Sequence, residues 1–179
     1  DSYNYSIASS STLSGATDGI YANTNGGTLI VGYNSAVGSS FTGATFAGIE
    51  AINTTGYSSI TNAGNMSALS GSYGIYASST TGLITISNSG QIGNSGSGSG
   101  VNTAGINATS SGSNTSGITV TNTNKIYVDS NSSTFGINAT NAGNGTVTVT
   151  NSGNIDPPAT GINAVGLGSV DVYNNAATI

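Results

Sequence analysis

The 179-residue chain has no cysteine, no histidine, no tryptophan and no arginine, and its only lysine is Lys125. Each absence removes a class of chemistry. Without cysteine there is neither a disulfide framework nor a thiolate metal site. Without histidine, zinc sites and imidazole acid–base catalysis go too. Six acidic residues against one base leave a net charge of −5 and no basic patch to neutralise phosphates, so nucleic acid is excluded as a partner. No apolar run exceeds a few residues, far short of the roughly 20 that a membrane helix needs, and no membrane insertion of this segment is expected.

What the chain has in abundance is Ser, Thr, Asn and Gly, which fill 106 of the 179 positions. A disordered tail of that composition normally carries high charge. Here only 4% of residues are charged, and the apolar residues recur at fixed places, so repeats are sought before any local assignment.

The tetrapeptide Gly-Ile-x-Ala begins at Gly19, Gly48, Gly74, Gly105, Gly136 and Gly161, at spacings of 29, 26, 31, 31 and 25 residues. A second phrase follows each, roughly x-[IV]-x-[IV]-x-Asn-Ser-Gly-x-Ile, clearest as LITISNSGQI, GITVTNTNKI and TVTVTNSGNI. Degenerate copies are YSSITNAGNM, LIVGYNSAV and SVDVYNNAATI, and YSIASSSTL near the start fits the same template. Constant phrases at varying spacing describe strands of fixed length joined by loops of free length.

Strand alternation separates inside from outside. The first phrase predicts two inward columns, Ile20, Ile49, Ile75, Ile106, Ile137 and Ile162, then Ala22, Ala51, Ala77, Ala108, Ala139 and Ala164. The second predicts Ile60, Ile86, Val120, Val149 and Val172 inward, with Ile7. A closing column holds Leu13, Val37, Met66, Ile92, Ile126, Ile155 and Ile179. An Asn column (Asn34, Asn62, Asn88, Asn122, Asn151, Asn174) falls at the corner after the second phrase, where stacked amides can bond along the axis. Two residues on stand Gly64, Gly90, Asn124 and Gly153, types that accept a positive φ at a tight corner.

One turn buries too few aliphatics to offset the ordering of its residues; a stack shares its core and its ladders. The expected fold is therefore all-β: a parallel β-helix, or β-solenoid, of about six coils of 25–31 residues without catalytic insertions. It forms a single domain over 1–179, with coils starting near 19, 48, 74, 105, 136 and 161 and a partial coil over 1–18. The repeats quoted above resemble those of bacterial autotransporter passenger domains and of filamentous-haemagglutinin-type adhesins. That resemblance implies a right-handed parallel β-helix outside a Gram-negative cell, serving as an adhesin.

Candidate sites are few. Enzymatic β-helices of the pectate-lyase kind need clustered acids or a calcium–arginine pair. Here Glu50 and Asp171 fall on outward columns far apart, and Asp18, Asp129 and Asp156 are read as loop residues. No pair is placed for general acid–base work, so the chain is expected to be no enzyme and to hold no metal and no cofactor. The outward pairs Thr85/Ser87, Thr119/Thr121 and Thr148/Thr150 form a T-x-T array similar to the hydroxyl faces of some ice-binding β-solenoids. Tyr21 and Tyr76 share an outward column with Glu50 between them, and could stack on a sugar or a partner; further along, this column becomes Asn107, Asn138 and Asn163.

The expected function is an extracellular structural β-solenoid, either an adhesin stalk or a filament subunit stacked head to tail, at a bacterial cell surface. The alternative is an ice- or carbohydrate-binding module that uses the Thr/Ser or Tyr columns. Neither end of the sequence shows a capping helix or a charged edge strand, so self-association end to end is the expected partnership, beside a possible receptor or glycan.

Overall fold

The computed structural model describes residues 3–8, 13–14, 18–34, 41–42, 46–66, 69, 71–95, 101–129, 135–156 and 159–175. All described strands pair in parallel, and no helix occurs among these residues. The second phrase forms a seven-stranded sheet: β1 (Tyr3–Ala8), β4 (Thr28–Asn34), β7 (Tyr57–Asn62), β9 (Ile84–Asn88), β11 (Ile118–Asn122), β14 (Val147–Asn151) and β17 (Val170–Asn174). The first phrase forms a six-stranded sheet: β3 (Asp18–Thr24), β6 (Ala47–Asn53), β8 (Tyr73–Ser79), β10 (Ala104–Ser110), β13 (Phe135–Asn141) and β16 (Thr160–Gly166). Short pairings close the third side: β2 (Leu13–Ser14) with β5 (Phe41–Thr42), β12 (Ile126–Tyr127) with β15 (Ile155–Asp156), and the bridges Met66–Ile92 and Ile92–Ile126.

Strands that neighbour each other in a sheet are one repeat apart in sequence, which is the topology of a β-solenoid. Four consecutive turns are linked on all three sides, through Met66, Ile92, Ile126 and Ile155. That is about four complete turns rather than the six expected, with β1 to β5 at one end and β16 and β17 at the other.

The apolar columns run up the interior. Ile20, Ile49, Ile75, Ile106, Ile137 and Ile162 pair in register, as do the six alanines beside them. Ile49, Ile75, Ile106 and Ile137 are fully buried, while Ile162 and Ala164 in the last turn are only partly covered. Met66, Ile92, Ile126 and Ile155 each rest on the glycine that opens the same turn. A Cβ on Gly74, Gly105 or Gly136 would lie 2.4, 2.2 or 2.1 Å from the Cγ2 of Ile92, Ile126 or Ile155. The invariant Gly-Ile pairing thus records a packing contact between the first and third sides.

Two sequence expectations need correction. β4 pairs with β7 through Val31–Ile60 and Tyr33–Asn62, so Tyr33, not Asn34, occupies the Asn column; Asn34 pairs with Ala8 and Ile7 with Tyr33. The physical reason is burial. In this register Leu29, Val31 and Tyr33 go fully inside and Ile30 out, whereas the register read from Asn34 would have placed Gly32 in the core. Nor do Gly64, Gly90 and Gly153 take a positive φ; among the described glycines that conformation belongs to Gly27, Gly93 and Gly117. Gly is needed at the corner for space, since a Cβ on Gly90 would stand 1.9 Å from the Gly64 carbonyl oxygen and one on Gly153 1.9 Å from that of Asn124. In the closing column Leu13 pairs with Phe41, while Val37 and Ile179 lie outside the described residues.

Candidate functional site

The polar side chains sort into two sets: those that hold corners together and those that face solvent. At the corner after the second phrase, Asn62, Asn88, Asn122, Asn151 and Asn174 are in register. Each donates through Nδ2 to the Oδ1 of the next: Asn62 to Asn88 at 2.6 Å, Asn88 to Asn122 and Asn122 to Asn151 at 2.7 Å, and Asn151 to Asn174 at 2.8 Å. Asn88, Asn122 and Asn151 donate their second N–H to the carbonyl two residues on, which fastens the turn. The ladder stops where Tyr33 replaces the amide, and the buried Asn62 Oδ1 finds no donor among the described residues.

A second polar column was missed in the sequence. Continuing the first phrase's alternation two residues past the Ala column reaches Thr24, Asn53, Ser79, Ser110 and Asn141, all buried and in register. They close the other long corner: Asn53 Oδ1 accepts from Gly56 N at 3.0 Å, Ser79 Oγ from Gly82 N at 2.7 Å and Asn141 Oδ1 from Gly143 N at 3.0 Å. Buried amides and hydroxyls are tolerated here because each is paired.

On the outside of the six-stranded sheet one row reads Tyr21, Glu50, Tyr76, Asn107, Asn138 and Asn163. Its asparagines satisfy each other, Asn138 donating to Asn107 and Asn163 to Asn138, both at 2.7 Å. Its other half is different in kind. Phe46, Tyr73 and Tyr76 form a ring cluster with centroids 5.0–5.3 Å apart, and Tyr21 stands 54% exposed. Tyr21 and Tyr76 flank Glu50 from the neighbouring strands, as the sequence placed them.

Glu50 is not alone. Asp18, read from the sequence as a loop residue, opens β3 and hydrogen-bonds Glu50 across 32 positions of chain. Asp156 likewise ends β15, paired with Tyr127. Burial, the nearby charge of Asp18 and the hydrogen bond push the Glu50 carboxyl up to about 7. Asp18 is also raised by burial, against the opposing effect of hydrogen bonds from the Ala47 N–H (3.2 Å) and Glu50. Asp18 therefore accepts and Glu50 keeps the proton. Carboxyl groups bonded to one another are closer than the roughly 5 Å or more at which glycosidic pairs flank a scissile bond.

This pair carries a pH prediction. The Glu50 pKa rises on folding from its ordinary 4.5 to about 7, so in that window the folded state holds more protons than the unfolded one. Stability is then fullest below about pH 4.5 and falls as pH rises toward 7. The effect is modest because Glu50 is only half-buried on an outer face, where solvent screens the charge. Melting temperature followed from pH 4.5 to 8 should decline, and Glu50→Gln should flatten that decline; an unchanged slope in the variant would refute the assignment.

On the seven-stranded sheet the T-x-T pairs are in register and gain a fourth rung, Ser59/Thr61. Thr85, Thr119, Thr121, Thr148 and Thr150 are half-buried and Ser87 is exposed. Two hydroxyl columns thus cross four strands, spaced about 4.8 Å between strands and about 6.6–6.8 Å along them. Ile30/Gly32 bound the array on one side and Asp171/Tyr173 on the other. No group of three or more metal-ligating side chains occurs among the described residues. No protein-family model, no curated protein and no solved structure matches the chain.

Proposed function

We propose that this chain is a non-enzymatic structural β-solenoid of a bacterial cell surface, a rod segment of an adhesin stalk or of a filament stacked head to tail. The observation that carries this reading is the axial continuity of the molecule. The Ile and Ala columns run through all six strands of one long sheet, and the Asn62-to-Asn174 ladder joins five successive strands of the other along the same direction. With 4% charged residues, these ladders depend little on ionic strength, as suits a part exposed to changing surroundings.

Likeness to autotransporter and haemagglutinin-type repeats suggests the outer surface as its place.

Negative-stain electron microscopy of the native material tests the proposal. Slender particles of uniform width, localised by antibody to the cell exterior, are expected. Length that grows with protein concentration identifies the filament form, and fixed length the stalk. Compact particles, or antibody label confined to the cell interior, would overturn it.

A further inference from the structure

We propose that the outer face of the six-stranded sheet holds a binding groove for a neutral saccharide, between Tyr76 and the corner that follows β6, β8 and β10. The inference is independent of the rod proposal. A cavity of about 230 Å³ lies there, lined by Ile52, Tyr76, Ser78, Thr80, Thr109 and Ser111 together with residues of the corner itself. It is smaller than the roughly 300–1,000 Å³ pockets that enclose drug-sized ligands, and suits one sugar ring laid against the surface.

The lining has the two halves that a pyranose needs. The Tyr76 ring and the Ile52 side chain offer an apolar wall for the C–H face of the sugar. The Tyr76 ring is held by an edge contact with Phe46 and a tilted one with Tyr73, at centroid distances of 5.3 and 5.0 Å, so little ordering remains to be done on binding. Around this wall stand hydroxyls. The corner's own hydrogen bonds draw on the side chains of Asn53, Ser79 and Ser110 and not on the hydroxyls of Ser78, Thr80, Thr109 and Ser111, four residues that line the groove. A hydroxyl both donates and accepts, so a cluster of four can match sugar hydroxyls in several orientations.

Charge selects among sugars. No base lines the groove, and the chain's only one, Lys125, lies beside β12 on the third side. Beside Tyr76 on the neighbouring strand β6 stands Glu50, hydrogen-bonded to Asp18. Sulfated or carboxylated sugars meet no cation and an acidic neighbour, so the fitting ligand is uncharged. The contrast along the same outer row is informative: at Asn107, Asn138 and Asn163 the surface bonds to itself, while around Tyr76 it presents a ring and unengaged hydroxyls.

The test is an array of neutral oligosaccharides built from glucose, galactose, mannose and their N-acetylated forms, with sulfated and sialylated glycans alongside. Saturation-transfer NMR and titration on the strongest neutral hit then follow. Neutral glycans should bind, and Tyr76→Ser should weaken them by about tenfold or more. Because Tyr76 also packs in the ring cluster, the double change Thr80→Val with Thr109→Val provides a second route to the same loss without disturbing those rings. Thr119→Val, on the other long sheet, should leave binding unchanged. Absence of neutral-glycan binding, binding confined to anionic glycans, or affinity unaltered by the groove changes would each overturn the inference. None of these outcomes bears on rod formation, which electron microscopy reads separately.

Discussion

Ile106→Asp is expected to unfold the middle of the solenoid. Ile106 is fully buried and stacked between Ile75 and Ile137 in the central turns. The change removes a large aliphatic from a shared column and places a carboxylate where no described side chain can pair with it. Loss of packing and desolvation of the new group together cost on the order of 5 kcal/mol. That is comparable to the whole stability of an ordinary domain, about 5–15 kcal/mol. Because each turn contacts only its neighbours, hydrogen exchange should show protection lost first in β8, β10 and β13, with thermal melting lowered by tens of degrees or abolished. The fitting control is Ser87→Asp, at an exposed outward position of β9, where the change should stay within about 0.5 kcal/mol. Asn107, outward by strand alternation, is no such control, being 6% exposed and accepting a hydrogen bond from Asn138. Equal damage from Ile106→Asp and Ser87→Asp would contradict the strand register.

Asn122→Ala should be nearly as harmful, for a different reason. The side chain donates to Asn151 Oδ1 and to the Asn124 carbonyl and accepts from Asn88, each at 2.7 Å. Removing it strands a buried donor on Asn88 and a buried acceptor on Asn151. An unsatisfied buried group costs about 1–3 kcal/mol, so a loss of about 3–5 kcal/mol is expected. Asn174→Ala, at the exposed end of the same ladder, removes one acceptor only and should cost about 1 kcal/mol. Urea denaturation of the two variants measures the difference. If Asn122→Ala and Asn174→Ala prove equal, the ladder does not stabilise the solenoid cooperatively along its axis.

These two positions also show what kind of information a repeat carries. Ile106 and Asn122 could be assigned from sequence because a strand writes its burial into alternate residues, and a solenoid repeats the same strand at every turn. The Thr24–Asn141 corner column was legible by the same rule but lay two residues beyond where the pattern was followed. β4 misled for the opposite reason. Asn34 matches the repeat as a letter, yet the chain sets its register by what it buries, and Leu29, Val31 and Tyr33 make a better core than a face containing Gly32.

The sequence by itself determined the fold class, the Ile and Ala columns, five of the six asparagines expected in the corner column, and the absence of thiols, imidazoles and a basic patch. All of these are properties of local alternation or of composition, and neither depends on loop path. Only the tertiary structure decided which residues of different turns stand side by side. It brought Asp18 to Glu50, gathered Phe46, Tyr73 and Tyr76 into one cluster, opened the groove beside them, and showed that the glycine of Gly-Ile-x-Ala makes room for the closing Ile of its own turn. Loops of unequal length set those neighbours. A spacing that varies from 25 to 31 residues leaves the strand pattern intact while hiding which side chains meet outside it.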